Sequence, residues 1–152
     1  MLHPLPARWL SIAVAVAALC CSSCGGGKKY YPVRGAVLVN GQPAEGVTVV
    51  FSMQDDPDPE PVRPTAGTRA DGSFELNTWL TKDRVLKTGA PAGTYVVTCF
   101  WLPPEAGSIG AGQEMPDKLQ GKYMDPKKSK LRVEIPEHAT DLPPFELEVG
   151  KK

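Results

Sequence analysis

Gly93-Thr-Tyr-Val-Val-Thr-Cys-Phe-Trp101 is the stretch that decides the fold. It is dominated by β-branched and aromatic residues, the types that fit a pleated surface. Apolar side chains occupy both its odd and even positions, which predicts a strand lying centrally in a sheet. Pro103-Pro104 ends it.

Shorter runs lie to either side. Between Pro32 and Val39 the residues Val33, Gly35, Val37 and Val39 share one face, and Asn40-Gly41 supplies a hairpin turn because both residues tolerate positive φ. After Gly46, the run Val47-Thr-Val-Val-Phe51 puts Val47, Val49 and Phe51 together. Thr65 to Ala70 is followed by a second hairpin signal, Asp71-Gly72, and then by Phe74 and Leu76 alternating with polar residues. Downstream, Leu131, Val133 and Ile135 alternate until Pro136, and Phe145 to Val149 alternates again. Residues 54–64 contain four prolines and read as a loop. Residues 78–92 read as a loop with room for a short strand. Residues 105–121 read as a long glycine-containing loop with a turn of helix near Pro116–Leu119. No helical apolar period persists from Tyr30 onward. About seven short strands therefore predict an all-β fold, a β-sandwich of two antiparallel sheets around one core, with a closed five-stranded barrel as the alternative.

Length and composition agree with one such domain. The 152 residues include 15 glycines and 16 prolines, about a fifth of the chain, as expected where many strands are joined by turns. Lys+Arg and Asp+Glu are 17 each, so no basic field attracts nucleic acid. Two histidines leave little for metal or acid–base chemistry.

The N-terminus carries a different message. Arg8 precedes an uncharged apolar stretch from Trp9 to Cys21, shorter than the roughly 17–25 residues of a membrane-spanning helix. That is the pattern of an export signal. Cys20, Cys21 and Cys24 close it, too near one another for a disulfide framework and without a facing Cys or His cluster for zinc. A bacterial lipoprotein signal fits, in which the first mature cysteine takes a diacylglyceryl group. Cys24 is the favoured site, with small Ser22 and Ser23 before it and Gly25-Gly26-Gly27 after it. Cys21, with Cys20 before it, is the alternative; the Cys24 motif departs from the usual pattern three residues upstream, where Cys21 stands in place of Leu. A signal cleaved to release a soluble secreted protein is the other reading. The expected organisation is a signal peptide over 1–23, a Gly/Lys tether over 24–30 and a β-sandwich domain over 31–150. Each buried methylene of a lipid contributes about 0.8 kcal/mol, so two or three chains anchor a protein stably where one holds it marginally. Lys28 and Lys29 would each add about 1 kcal/mol near an anionic surface, but read first as a solvated linker. Cys24 to Tyr30 spans at most roughly 20–25 Å, which keeps the domain close to the membrane.

Tyr31-Pro-Val-Arg-Gly35, Asn40-Gly-Gln-Pro43, Gly46-Val-Thr-Val-Val-Phe51, Thr68-Arg-Ala-Asp-Gly-Ser-Phe74 and Gly89-Ala-Pro-Ala-Gly-Thr-Tyr95 follow in order. This series resembles the carboxypeptidase regulatory-like domain, a transthyretin-like (immunoglobulin-like) β-sandwich. It is similar, more narrowly, to the small single-domain lipoproteins of planctomycetes, whose pattern Lys122-Tyr123, Ser129-Lys-Leu131 and Phe145-Glu-Leu147 also match. The resemblance spans about residues 30–149. It implies a seven-stranded sandwich outside the cytoplasm, with no established catalysis and no cofactor, serving as a spacer, folding partner or adhesive module. Related hydroxyisourate hydrolases and intradiol dioxygenases need several active-site histidines, whereas the mature chain has His138 alone.

The expectation is a non-enzymatic, lipid-anchored envelope protein. Its partners would be the membrane, through lipid on Cys24, and an envelope protein or glycan; nucleic acid is not expected. The alternative is a small-ligand or carbohydrate-binding module using Trp79, Trp101 and the 102–121 loop. A hydrolase is the weakest reading: His138 reads as a solvated turn residue, and only a pocket joining it to a carboxylate would favour that role. Asp55, Asp56, Asp58 and Glu60 offer oxygen ligands of the kind calcium takes, but prolines stiffen the loop and no glycine lets it wrap, so it reads as solvated and no metal site is expected. Lys127, Lys128, Lys130 and Arg132 read as a solvated strand edge, a position where lysines oppose aggregation. Cys99 reads as a small buried apolar residue.

Overall fold

Val47, Val49 and Phe51 are fully buried on one side of their strand, and Tyr95, Val97 and Cys99 on the same side of its neighbour. The computed structural model describes residues 27–56, 58, 61–102 and 116–150. The expected signal peptide, residues 24–26 of the expected tether with Cys24 among them, Glu60 and much of the 102–121 loop lie outside the described residues.

The described chain is all-β, two mostly antiparallel sheets packed as a sandwich. Its strands are β1 (Val33–Val39), β2 (Gln42–Pro43), β3 (Val47–Met53), β4 (Thr65–Gly67), β5 (Ser73–Glu75), β6 (Asn77–Leu80), β7 (Val85–Thr88), β8 (Gly93–Trp101), β9 (Arg132–Ile135), β10 (Thr140–Asp141) and β11 (Phe145–Leu147). No described helix is present; the segment at 118–124 is a series of turns and not the helical turn expected near Pro116–Leu119.

The larger sheet runs β7-β6-β4-β3-β8-β9, antiparallel throughout, and β8 lies inside it as its two-sided apolar pattern predicts. The smaller sheet is organised around β1. β5 and β2 pair with one edge of β1 antiparallel, while β10 and β11 lie along the other edge parallel to it. These parallel pairs depart from the purely antiparallel expectation. Their cause is a crossing of the chain after Ile135, from β9 in one sheet to β10 in the other. Pro143 and Pro144, which lack backbone donors, then separate β10 from β11. The strand count also exceeds seven, because residues 77–88 form a hairpin and several runs divide into short pieces.

Phe51 joins the two sheets. Its ring centroid lies 6.3 Å from Phe74 of β5, 6.0 Å from Tyr95 of β8 and 6.2 Å from Phe145 of β11. Phe74 and Phe145 stack at 6.0 Å with 9° between their planes. Gly35 makes room for this cluster. It pairs with Phe74 across β1 and β5, and a Cβ on Gly35 would meet the Phe74 ring at 2.5 Å.

Three buried hydroxyls find backbone partners, as low-dielectric surroundings demand. Thr68 Oγ1 donates to the Ala44 carbonyl and accepts from the Val47 amide. Tyr95 OH donates to the Pro91 carbonyl at 2.9 Å. Thr78 Oγ1 donates to the Gly89 carbonyl at 2.7 Å.

Candidate functional site

The described chain begins at Gly27, three residues after Cys24, and its first contacts fix where the N-terminal segment meets the sandwich. Lys28 Nζ donates to Asp58 Oδ2 at 2.9 Å and lies 3.8 Å from Asp56 Oδ1. The hydrogen bond to Asp58 raises the Lys28 pKa above its ordinary 10.5, against a smaller opposing effect of burial. Tyr31 and Ala90 then exchange backbone hydrogen bonds at 2.9 and 3.0 Å. Gly89 permits this approach. Its φ is +89°, and a Cβ there would overlap the Tyr31 carbonyl.

The acidic loop is therefore occupied by a cation of the chain itself. Asp56 Oδ1 also accepts from the Asp58 amide at 3.0 Å, while its buried Oδ2 has no hydrogen-bond partner. Among the described residues no three His, Cys, Asp or Glu side chains are grouped to hold a metal ion.

The tether residues Gly27, Lys28 and Tyr30 line an open cleft of about 760 Å³. Its opposite wall is the β6–β7 hairpin, including Trp79, Leu80, Lys82 and Lys87. Thr78 is fully buried whereas Trp79 is 54% exposed, so Trp79 stands on the outer face of the large sheet. Its cross-strand partner is Leu86, 59% exposed.

Trp101 is placed elsewhere. It follows Tyr95, Val97 and Cys99 on the inner face and packs half-buried against the margin of the core. By strand register it lies three strands across from Trp79, about 14 Å, and some five residue positions along, about 17 Å. The two tryptophans thus occupy opposite faces and opposite ends of the large sheet, and no single surface presents both rings. Lys118 Nζ lies 4.6 Å from the Trp101 ring centroid.

Asp117 positions this second region, a role the sequence reading did not assign. Its Oδ1 accepts from the Trp101 amide at 2.7 Å and the Leu119 amide at 3.0 Å, and its Oδ2 accepts from the Gly121 amide at 2.8 Å. One carboxylate so joins the end of β8 to the turns that follow the loop. An Asp ahead of a turn is the available signal in the sequence.

His138 is exposed in the turn between β9 and β10, where its carbonyl accepts from Thr140 Oγ1 at 3.2 Å. Lys127, Lys128, Lys130 and Arg132 are exposed, the last on β9, the outer strand of the large sheet. Cys99 is fully buried, and burial pushes its thiol pKa up to about 12.

Compared with known proteins, the chain matches no family model and no curated protein sequence.

Proposed function

We propose that this chain is a lipid-anchored protein of a bacterial cell envelope, held outside the cytoplasm by acylation of Cys24. Its β-sandwich acts without catalysis, as a structural or adhesive module of the carboxypeptidase regulatory-like kind. The carrying observation is the order of the N-terminal features. A charged start, an uncharged apolar stretch, Ser22-Ser23-Cys24 and a glycine–lysine tether lead within a few residues into a folded sandwich. A short tether suits a domain that works at the membrane surface. A carbohydrate-binding role is less well supported, because opposite placement of Trp79 and Trp101 leaves one ring per surface for a sugar to stack on.

Metabolic labelling with a fatty acid tests the anchor. The expected result is a labelled protein in the membrane fraction and loss of label in Cys24→Ala. Label retained in that variant moves the site to Cys21, and absence of label in the unaltered chain overturns the proposal.

A further inference from the structure

We propose that the β6–β7 hairpin seats the domain on the lipid bilayer, with Trp79 and Leu86 as its apolar contact. This inference rests on acylation at Cys24 and adds a second, non-covalent point of attachment. Four large hydrophobic side chains are exposed among the described residues, and three of them, Trp79, Val85 and Leu86, belong to this one hairpin. Trp79 and Leu86 face each other across the strand pair, so their exposed surfaces form one patch. Within the same hairpin Lys82, Arg84 and Lys87 supply three cations against the single carboxylate of Asp83; Lys82 and Lys87 line the cleft with Trp79, although Lys87, paired with Thr78, takes the strand face opposite Leu86. An indole beside basic side chains is the composition that partitions to the headgroup region of an anionic bilayer.

Position decides between a bilayer and other occupants. Lys28 lines the same cleft as Trp79, and Asp58 clamps it there. Cys24 lies four residues earlier, a reach of at most about 14 Å. An acyl chain on Cys24 therefore holds the membrane surface next to this hairpin permanently, at an effective concentration that a freely diffusing copy does not match. Trp101, on the opposite face and at the opposite end, points away from that surface and serves as an internal control.

The test uses the processed lipoprotein in vesicles of phosphatidylethanolamine and phosphatidylglycerol, with acylation verified by mass. After removal of residues 1–23, Trp79 and Trp101 are the only tryptophans left of three. Emission of Trp79 is read as the difference between the unaltered protein and Trp79→Phe, which leaves the core untouched. The expected result is a shift of that difference emission to shorter wavelength and its loss when the lipids are brominated near the headgroup, with Trp101 emission in Trp79→Phe unaffected. An acylated protein whose Trp79 emission is neither shifted nor quenched overturns this inference and leaves the anchor standing. An unacylated protein overturns both. A patch covered by a second copy, seen as dimers that Leu86→Ser dissolves while Trp79 stays unquenched by lipid, also overturns it.

Discussion

Lys28 donates from Nζ to Asp58 Oδ2 at 2.9 Å, pinning the segment that enters the domain to the loop after β3. The residues joined are 30 positions apart in the chain. The acidic loop thus meets a cation of the N-terminal segment, and the direction in which that segment leaves the sandwich is set by an ion pair as well as by the Tyr31–Ala90 bridge.

Replacing Asp58 by Ala releases that clamp. The pair is partly solvated, with both side chains 37% exposed, so its contribution to stability is under about 1 kcal/mol. The expected outcome is a melting temperature nearly unchanged and faster proteolysis within residues 27–30. Because the Lys28 pKa is raised, the pair's contribution is complete below pH 10.5 and disappears as the pH rises through the higher folded value. Limited proteolysis of the two proteins side by side checks the first point, and its pH dependence the second.

Gly35→Ala tests the aromatic cluster. A methyl group there meets the Phe74 ring at 2.5 Å, and Phe74 is held in place by its stack with Phe145. The ring cannot withdraw without disturbing the contact between the sheets. Overpacking of this kind costs about 1–3 kcal/mol. Thermal denaturation should show a clear fall in melting temperature for Gly35→Ala and almost none for Gly67→Ala, where a Cβ meets nothing within 4 Å.

The fold was legible where alternation and burial coincide. Val47, Val49 and Phe51 could be assigned to one inward face, and β8 to the sheet interior, because side-chain period and composition follow directly from which surface is covered. The β6–β7 hairpin was not legible as a hairpin. Its turn, residues 81–84, contains neither Gly nor Asn, and Arg84 adopts the positive φ of 51° that those residues usually supply. The parallel neighbours of β1 were hidden for another reason: alternation reports the face a side chain takes, and not which strand lies alongside. At the candidate site, the cysteine motif and both tryptophans were visible as residues. Their separation, and the Lys28–Asp58 pair, depend on contacts between distant segments that no local pattern encodes.

Asp71 gives an acid-side prediction. Its Oδ1 accepts from Ser73 Oγ at 2.6 Å and from the Ser73 amide at 2.9 Å, which hold its pKa below the ordinary 3.8. The carboxylate forms the turn between β4 and β5, so the stabilisation is present above pH 3.8 and fades as the pH falls through the lower folded value. Asp71→Ala should therefore melt below the unaltered protein at neutral pH, and the gap should narrow in acid. Parallel melting curves across that range measure it, and a gap that widens in acid contradicts the assignment.

Cys99 makes the acylation site countable. With Cys24 acylated and residues 1–23 removed, Cys99 is the single free thiol left of four cysteines. With Cys21 acylated, Cys24 remains as a second thiol, flanked by Ser23 and Gly25. Cys99 is fully buried and its thiol is pushed up to about 12, chiefly by desolvation, so the folded protein presents no thiolate to a disulfide reagent near pH 8. The expected titration is no reactive thiol in the native protein and one in denaturant; one in the native protein and two in denaturant assigns the lipid to Cys21. The same burial acts on stability at high pH. The unfolded thiol ionises from its ordinary 9.0 while the folded one stays protonated until about 12, so stability falls across that interval. Cys99→Ala removes this contribution to the alkaline decline, and a decline equally steep in that variant shows that another group governs it.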